Sequence, residues 1–155
     1  MLICIDLSRL YFAVRSLNIA IDYEALLNML EERAVGDIDI VGFTIADPSN
    51  TNQAKFIQKL EDLDVEVKVY PADTTPSFTP EISAEAARYE MDEVVVLSND
   101  QNLIRVFDLL KEDGKRPTLC FFSDRLDPAW NPRIISGEVP FIDLSDPAIR
   151  KIITR

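Results

Sequence analysis

The sequence predicts an α/β protein: a three-layer parallel sheet with helices on both faces and strand order 3-2-1-4-5. Three observations predict it. Short apolar, β-branched runs alternate with segments of helical periodicity along the chain. Most of these runs are apolar almost throughout, as strands covered on both faces are. Two of them end in an aspartate: Leu2-Ile3-Cys4-Ile5 runs into Asp6, and Val94-Val95-Val96-Leu97 passes through Ser98 and Asn99 into Asp100. In open parallel sheets, ligands bind outside the carboxyl ends of the strands, where strand order reverses. With strands 1 and 4 as neighbours, the two carboxylates meet at that crevice. Two like charges there need a cation or a proton to offset them.

The elements follow in order. After the strand over 2–6, Leu10, Ala13, Val14 and Leu17 share a helical face. Asp22 caps a second helix with Leu26, Leu27, Met29 and Leu30 inward, and Ala34-Val35-Gly36-Asp37 breaks it. Residues 38–45 form the second strand. Ser49, Asn50 or Thr51 caps a helix carrying Ala54, Phe56, Ile57 and Leu60. Val65, Val67 and Val69 alternate with Glu66 and Lys68, which marks a half-exposed edge strand. Residues 71–80 read as a proline-punctuated loop. Thr79 then caps a helix with Pro80 in its first turn, running to Glu90 or Met91. Past the fourth strand, Ser98 or Asn99 caps a helix bearing Leu103, Ile104, Val106, Phe107, Leu109 and Leu110, which Gly114 ends. Residues 117–122 make the fifth strand. An irregular loop holding Trp130 follows, then a helical turn at 133–136, a short strand within 139–144 and a terminal helix after Asp146-Pro147.

Composition narrows the chemistry. With 155 residues, 47% of them hydrophobic, the chain suits one domain over 1–155. No apolar run approaches the roughly 20 residues of a membrane span. The first residues lack the basic start and small-residue cleavage site of a secretory leader. Cys4 and Cys120 sit singly inside strand patterns, as core thiols of a reducing compartment do, so the expected location is cytoplasmic. The chain has no histidine. That excludes Ser-His-Asp and Cys-His catalysis and histidine-bound zinc. Carboxylates are left as acid–base groups or metal ligands, and they favour Mg²⁺ or Mn²⁺. The net charge of −11 argues against a nucleic-acid partner, because phosphate contacts supply most of that affinity. The charge is uneven, however: residues 1–100 carry −12 and residues 101–155 carry +1. A local basic surface formed by Arg105, Lys111, Lys115, Arg116, Arg125 and Arg133 is compatible with that split. A nucleotide-binding reading is weaker, since only 4 glycines are present and no Gly-rich loop follows a strand.

Five stretches stand out in order along the chain: Ile5-Asp6-Leu7-Ser8-Arg9-Leu10-Tyr11, the helix opening at Asp22-Tyr23-Glu24-Ala25-Leu26-Leu27, the Phe56–Leu60 helix before Val65-Glu66-Val67, Val96-Leu97-Ser98-Asn99-Asp100-Gln101-Asn102-Leu103, and Gly114-Lys115 ahead of the fifth strand. Together they resemble the NYN domain, a branch of the PIN-like nucleases, and within it the LabA-like members. The resemblance covers nearly the whole chain in the same order. It implies a Rossmann-like parallel sheet with strand-end acids holding Mg²⁺ or Mn²⁺ for cleavage of RNA phosphodiesters. The first aspartate of the pattern falls on Asp6 and the later one on Asp100. Three positions depart from it. The asparagine three residues after the first aspartate is Arg9, the second aspartate of the later motif is Asn102, and the central acidic position has no clean counterpart beyond Glu81 or Glu85.

The resemblance gives Asp6 and Asp100 as metal ligands, with Glu81, Glu85 or Asp124 completing the shell and Asn102 orienting water. Arg9, Asn99, Arg105, Lys115 and Arg125 are the candidates for contact with RNA. The plain alternatives are that Asp6 and Asp100 cap helices, that the glutamates are solvated, and that Trp130 and Phe122 cover the core rather than stack a base. Arg9 has two readings: a phosphate contact, or a partner for Asp6 and Asp100 in place of the metal. Two functions therefore stand side by side. One is a metal-dependent endoribonuclease. The other is a catalytically degenerate adaptor that binds RNA or a protein partner without cleavage.

Overall fold

The computed structural model describes residues 1–72 and 77–155. Six strands, β1 (Leu2–Asp6), β2 (Asp39–Ile45), β3 (Val65–Tyr70), β4 (Glu93–Leu97), β5 (Arg116–Phe121) and β6 (Phe141–Asp143), form one parallel sheet in the order β3-β2-β1-β4-β5-β6. The expected order is extended by the last short strand, which pairs with β5 through Leu119 opposite Phe141. The alternating Val-Glu-Val-Lys-Val segment is an edge strand, as its half-exposed pattern requires.

β1 is central and buried at every residue, and its pleat divides the core. Ile3 and Ile5 point to one face, with Leu10 and Ala13 of α1 (Leu7–Ser16), Leu26, Leu27 and Leu30 of α2 (Tyr23–Glu31), and Leu60 of α3 (Gln53–Glu61). Leu2 and Cys4 point to the other. There they meet Ile82 and Ala86 of α4 (Thr79–Arg88) and Val106, Phe107 and Leu110 of α5 (Leu103–Glu112). The chain ends through α6 (Asn131–Ile135) and α7 (Pro147–Ile153), the latter capped by Asp146. Asp22 caps α2 through the Ala25 amide.

Several local expectations are corrected. Asn52 holds the cap position of α3 without a side-chain bond, because Asn50 and Asp47 spend their side-chain oxygens inside the preceding loop. Ala54 faces outward on that helix. Thr79 is the first residue of α4 rather than its cap, its hydroxyl being drawn to Asp100, and the helix stops at Arg88. Neither Ser98 nor Asn99 caps α5; Asn102 sits at the cap position without a side-chain bond. Leu109 is largely exposed. Trp130 and Phe122 are fully buried, so neither is free to stack a base. Of the loop expected over 71–80, residues 73–76 lie outside the described residues. Among the described residues, no helix is long and apolar enough to cross a membrane.

Trp130 packs edge-on against Phe107, with ring centroids 5.1 Å apart. Phe107→Ala removes that partner from a fully buried site. It is expected to cost about 3–5 kcal/mol, read as a lower urea midpoint, with a red shift in the emission of Trp130, the sole tryptophan.

Candidate functional site

Strand register builds the site. Ile5 lies opposite Leu97, so the next residues of β1 and β4, Asp6 and Ser98, stand side by side where the two strands end. Both belong to the even-numbered set that faces α4 and α5. The Ser98 hydroxyl donates to Asp6 Oδ2 at 3.2 Å and accepts from the Asp100 amide at 3.2 Å. One small side chain thus joins the two acidic positions.

Both carboxylates are buried. Asp6 Oδ1 accepts from the Arg9 amide at 3.0 Å, so Asp6 does cap α1, and it faces the site as well. Asp100 Oδ1 accepts from the Asn102 amide at 3.0 Å. Its Oδ2 accepts from the Ser77 hydroxyl at 2.7 Å and the Thr79 hydroxyl at 3.2 Å. The Arg9 guanidinium lies between them. Its Nε is 3.6 Å from Asp6 Oδ2 and its Nη2 is 3.6 Å from Asp100 Oδ2. These are charge contacts too long for hydrogen bonds. What fixes the guanidinium is Nη1, which donates to Asn99 Oδ1 at 2.9 Å.

The other predicted residues divide. Asn99 and Arg125 gather with Arg9. Asn99 Nδ2 donates to the Arg125 carbonyl at 2.8 Å, and all three line a cavity of about 410 Å³ with Ser8, Phe12 and Ser16. Asn102 meets Asp100 through its backbone, while its side chain is exposed. Glu81 is half-buried near the start of α4, and its Oε2 has no partner among the described residues. Glu85 is claimed elsewhere, by Lys68 of β3 and by Arg88. It lies six residues beyond Thr79, about 9 Å further along the helix. Asp124 accepts from the Ser145 hydroxyl and neighbours Arg125. Lys115 sits ahead of β5, at the opposite end of the strands. There it donates to the Ala86 and Tyr89 carbonyls at the end of α4, where a cation offsets the helix dipole. Arg105 is exposed on α5. The broader basic surface dissolves into local contacts: Arg116 with Glu93, Arg133 with Asp108, and Lys111 with the Glu138 carbonyl.

Sequence reasoning missed Ser77, Thr79 and the bridging role of Ser98. The first two reach Asp100 from more than twenty positions away, and no local pattern encodes that.

The two carboxylates differ in proton affinity. Burial pushes Asp6 up to about 6, against the Arg9 amide, the Arg9 guanidinium and the Ser98 hydroxyl; the charge on Asp100 adds to the rise. Asp100 also feels burial, but the Ser77 hydroxyl, the Asn102 amide, Arg9 and the Thr79 hydroxyl together hold it below the usual carboxylate range.

Whether a divalent ion fits can be judged from the donor set. Among the described residues, no group of three or more acidic or thiol side chains is placed to share a metal ion. Each oxygen of the acidic pair already accepts from a hydroxyl or an amide, and the space they share holds a fixed positive charge. As the described residues are arranged, the guanidinium takes the space between the two carboxylates and the site does not fit the ion.

The Asp6 shift has a sign that can be checked. Its folded-state value lies above its unfolded one, so the folded state takes up the proton first and stability rises as pH falls through 6. Urea unfolding is expected to show a gain of about 1 kcal/mol between about pH 7 and about pH 5 from this group. Asp6→Asn should remove that part of the slope. Asp100 acts in the opposite sense only at lower pH, below its unfolded value.

The NYN domain family model matches residues 1–132 of the chain. No curated protein and no solved structure matches it.

Proposed function

The chain belongs to the NYN domain family, within the PIN-like nuclease superfamily, and on that footing we propose that it is a member in which an arginine takes the place of the divalent ion and RNA is bound without being cleaved. The observation that carries this reading is the Arg9 guanidinium, 3.6 Å from both Asp6 and Asp100. A hard cation needs oxygen lone pairs at about 2.0–2.6 Å. Here each of those oxygens already accepts from an N–H or O–H donor, and the guanidinium fills the space between the two carboxylates. A guanidinium offsets the carboxylate charge and offers hydrogen bonds to phosphate. It does not lower the pKa of a bound water as a metal does. Arg9, Asn99 and Arg125 along one cavity supply donors suited to a phosphodiester.

One observation favours hydrolysis as the second reading. The Arg9 side chain is 34% exposed, and among the described residues its Nε has no hydrogen-bond partner and the Asn99 contact is its one side-chain hydrogen bond. With that contact released, Asp6 and Asp100 would be two convergent carboxylates, and Glu81, whose Oε2 has no partner among the described residues, and Asn102 are the candidates to complete a Mg²⁺ or Mn²⁺ shell.

Calorimetric titration with Mn²⁺ separates the two. The wild type is expected to show no binding, Arg9→Asn to gain a site, and Arg9→Asn with Asp100→Asn to lose it again. Binding of Mn²⁺ by the wild type, together with cleavage of labelled single-stranded RNA that chelator and Asp100→Asn both abolish, would establish the hydrolytic reading instead.

A further inference from the structure

Helix α1 reverses the charge of its surroundings. Residues 1–100 hold 19 acids and 7 bases, yet Leu7–Ser16 contains two arginines and no acid. Between those arginines, Arg9 and Arg15, stand two exposed aromatics. Phe12 is 67% exposed and Tyr11 46%, and their rings meet edge to face with centroids 5.7 Å apart. Arg15 anchors the far end of the pair. Its Nη1 donates to the Tyr11 hydroxyl at 3.1 Å, and its guanidinium carbon lies 6.0 Å from the Tyr11 ring centroid.

The ridge divides two hollows. On one side is the 410 Å³ cavity with Arg9, Asn99 and Arg125. On the other is a larger, mainly apolar cavity of about 490 Å³, whose lining includes Leu7, Ile45, Phe56 and Asp47. Phe12 lines both. Burying an aromatic of this size is worth more than leaving it in water, and nothing on α1 covers this one. An exposed ring beside cationic side chains, with an apolar hollow next to it, matches what a flexible polyanion bearing flat aromatic groups needs. Its phosphates meet the arginines and its bases meet the ring. A duplex, whose bases are already stacked, offers no free ring face.

We infer that the Tyr11–Phe12 ridge is a base-stacking seat for single-stranded nucleic acid, lying beside the acidic pair. The strand's phosphates lie on the Arg9–Arg125 side, and an unpaired base packs on Phe12 over the apolar hollow. Stacking is tolerant of base identity, so the seat selects for single-strandedness rather than for sequence. This rests on the reading that the domain binds RNA.

The test is fluorescence anisotropy of a labelled single-stranded oligoribonucleotide and of its duplex, with the full chain in its wild-type, Phe12→Ala, Phe12→Leu and Arg125→Ala forms. Trp130 emission confirms that each is folded. The wild type is expected to prefer the single strand. Phe12→Ala should lose about 5- to 150-fold in affinity. Phe12→Leu, which keeps apolar bulk but no ring, should lose nearly as much. Binding by the wild type that both Phe12 variants retain and Arg125→Ala weakens would overturn the seat while leaving RNA binding intact. Equal affinity for duplex would also overturn it. No binding by the wild type would overturn both. A dimer in sedimentation that Phe12→Ala dissolves would show the ridge to be a contact between copies of the chain and overturn the seat.

Discussion

The pairing of β1 with β4 is the constraint from which the rest follows. It sets Ile5 opposite Leu97 and so delivers Asp6 and Ser98 to one point, with Asp100 two residues further on. The sheet is covered on both faces, and a slip of one residue would exchange the β1 side chains fitted to α1 and α2 for those fitted to α4 and α5. Two buried carboxylates brought together in this way carry a large desolvation cost and repel each other. Each fixed dipole around them answers that cost: the Ser98 hydroxyl and Arg9 amide on Asp6, and the Ser77 and Thr79 hydroxyls and Asn102 amide on Asp100. Arg9 supplies the remaining charge.

A guanidinium and a divalent ion are different answers to the same problem. The ion gathers lone pairs at short range, acts as a Lewis acid and exchanges with solvent. The guanidinium is planar, is held by hydrogen bonds at longer range, and stays charged at any ordinary pH. An arginine therefore preserves the electrostatic balance of the acidic pair, and with it the fold around the strand ends, while removing the means to activate water. It also keeps a positive charge directed at the cavity shared with Asn99 and Arg125. Retention of the architecture and loss of the chemistry are compatible for that reason.

What the sequence makes legible is what periodicity and strand ends encode. The strand order, the edge position of the Val65–Val69 segment and the shared location of Asp6 and Asp100 all rest on patterns of burial that a single chain displays. Arg9 stands out because it replaces the asparagine that the NYN pattern carries three residues after its first aspartate. The hydrogen-bond partners of the site were less visible. Ser98 and Asn99 look like helix caps, because small polar residues before an apolar helix usually are. Here their side chains are used across the crevice, by Asp6 and Arg9, and α5 begins without a side-chain cap. Ser77 and Thr79 reach Asp100 from a distant loop. Glu85 and Lys115 carry the right charges for a site but meet nearer partners, Lys68 and Arg88 for the one and the end of α4 for the other. Charge sign is legible in a sequence; which opposite charge lies closest is a property of packing.

The separation of 92 positions between Asp6 and Ser98 bears on synthesis as well as on chemistry. β1 leaves the ribosome well before its neighbour β4, whose last residue is Leu97. Until then the central strand has one side without a partner, and the acidic pair does not exist. A nascent chain cannot display this crevice, and a truncated product ending before β4 would carry an open, apolar sheet edge in its place.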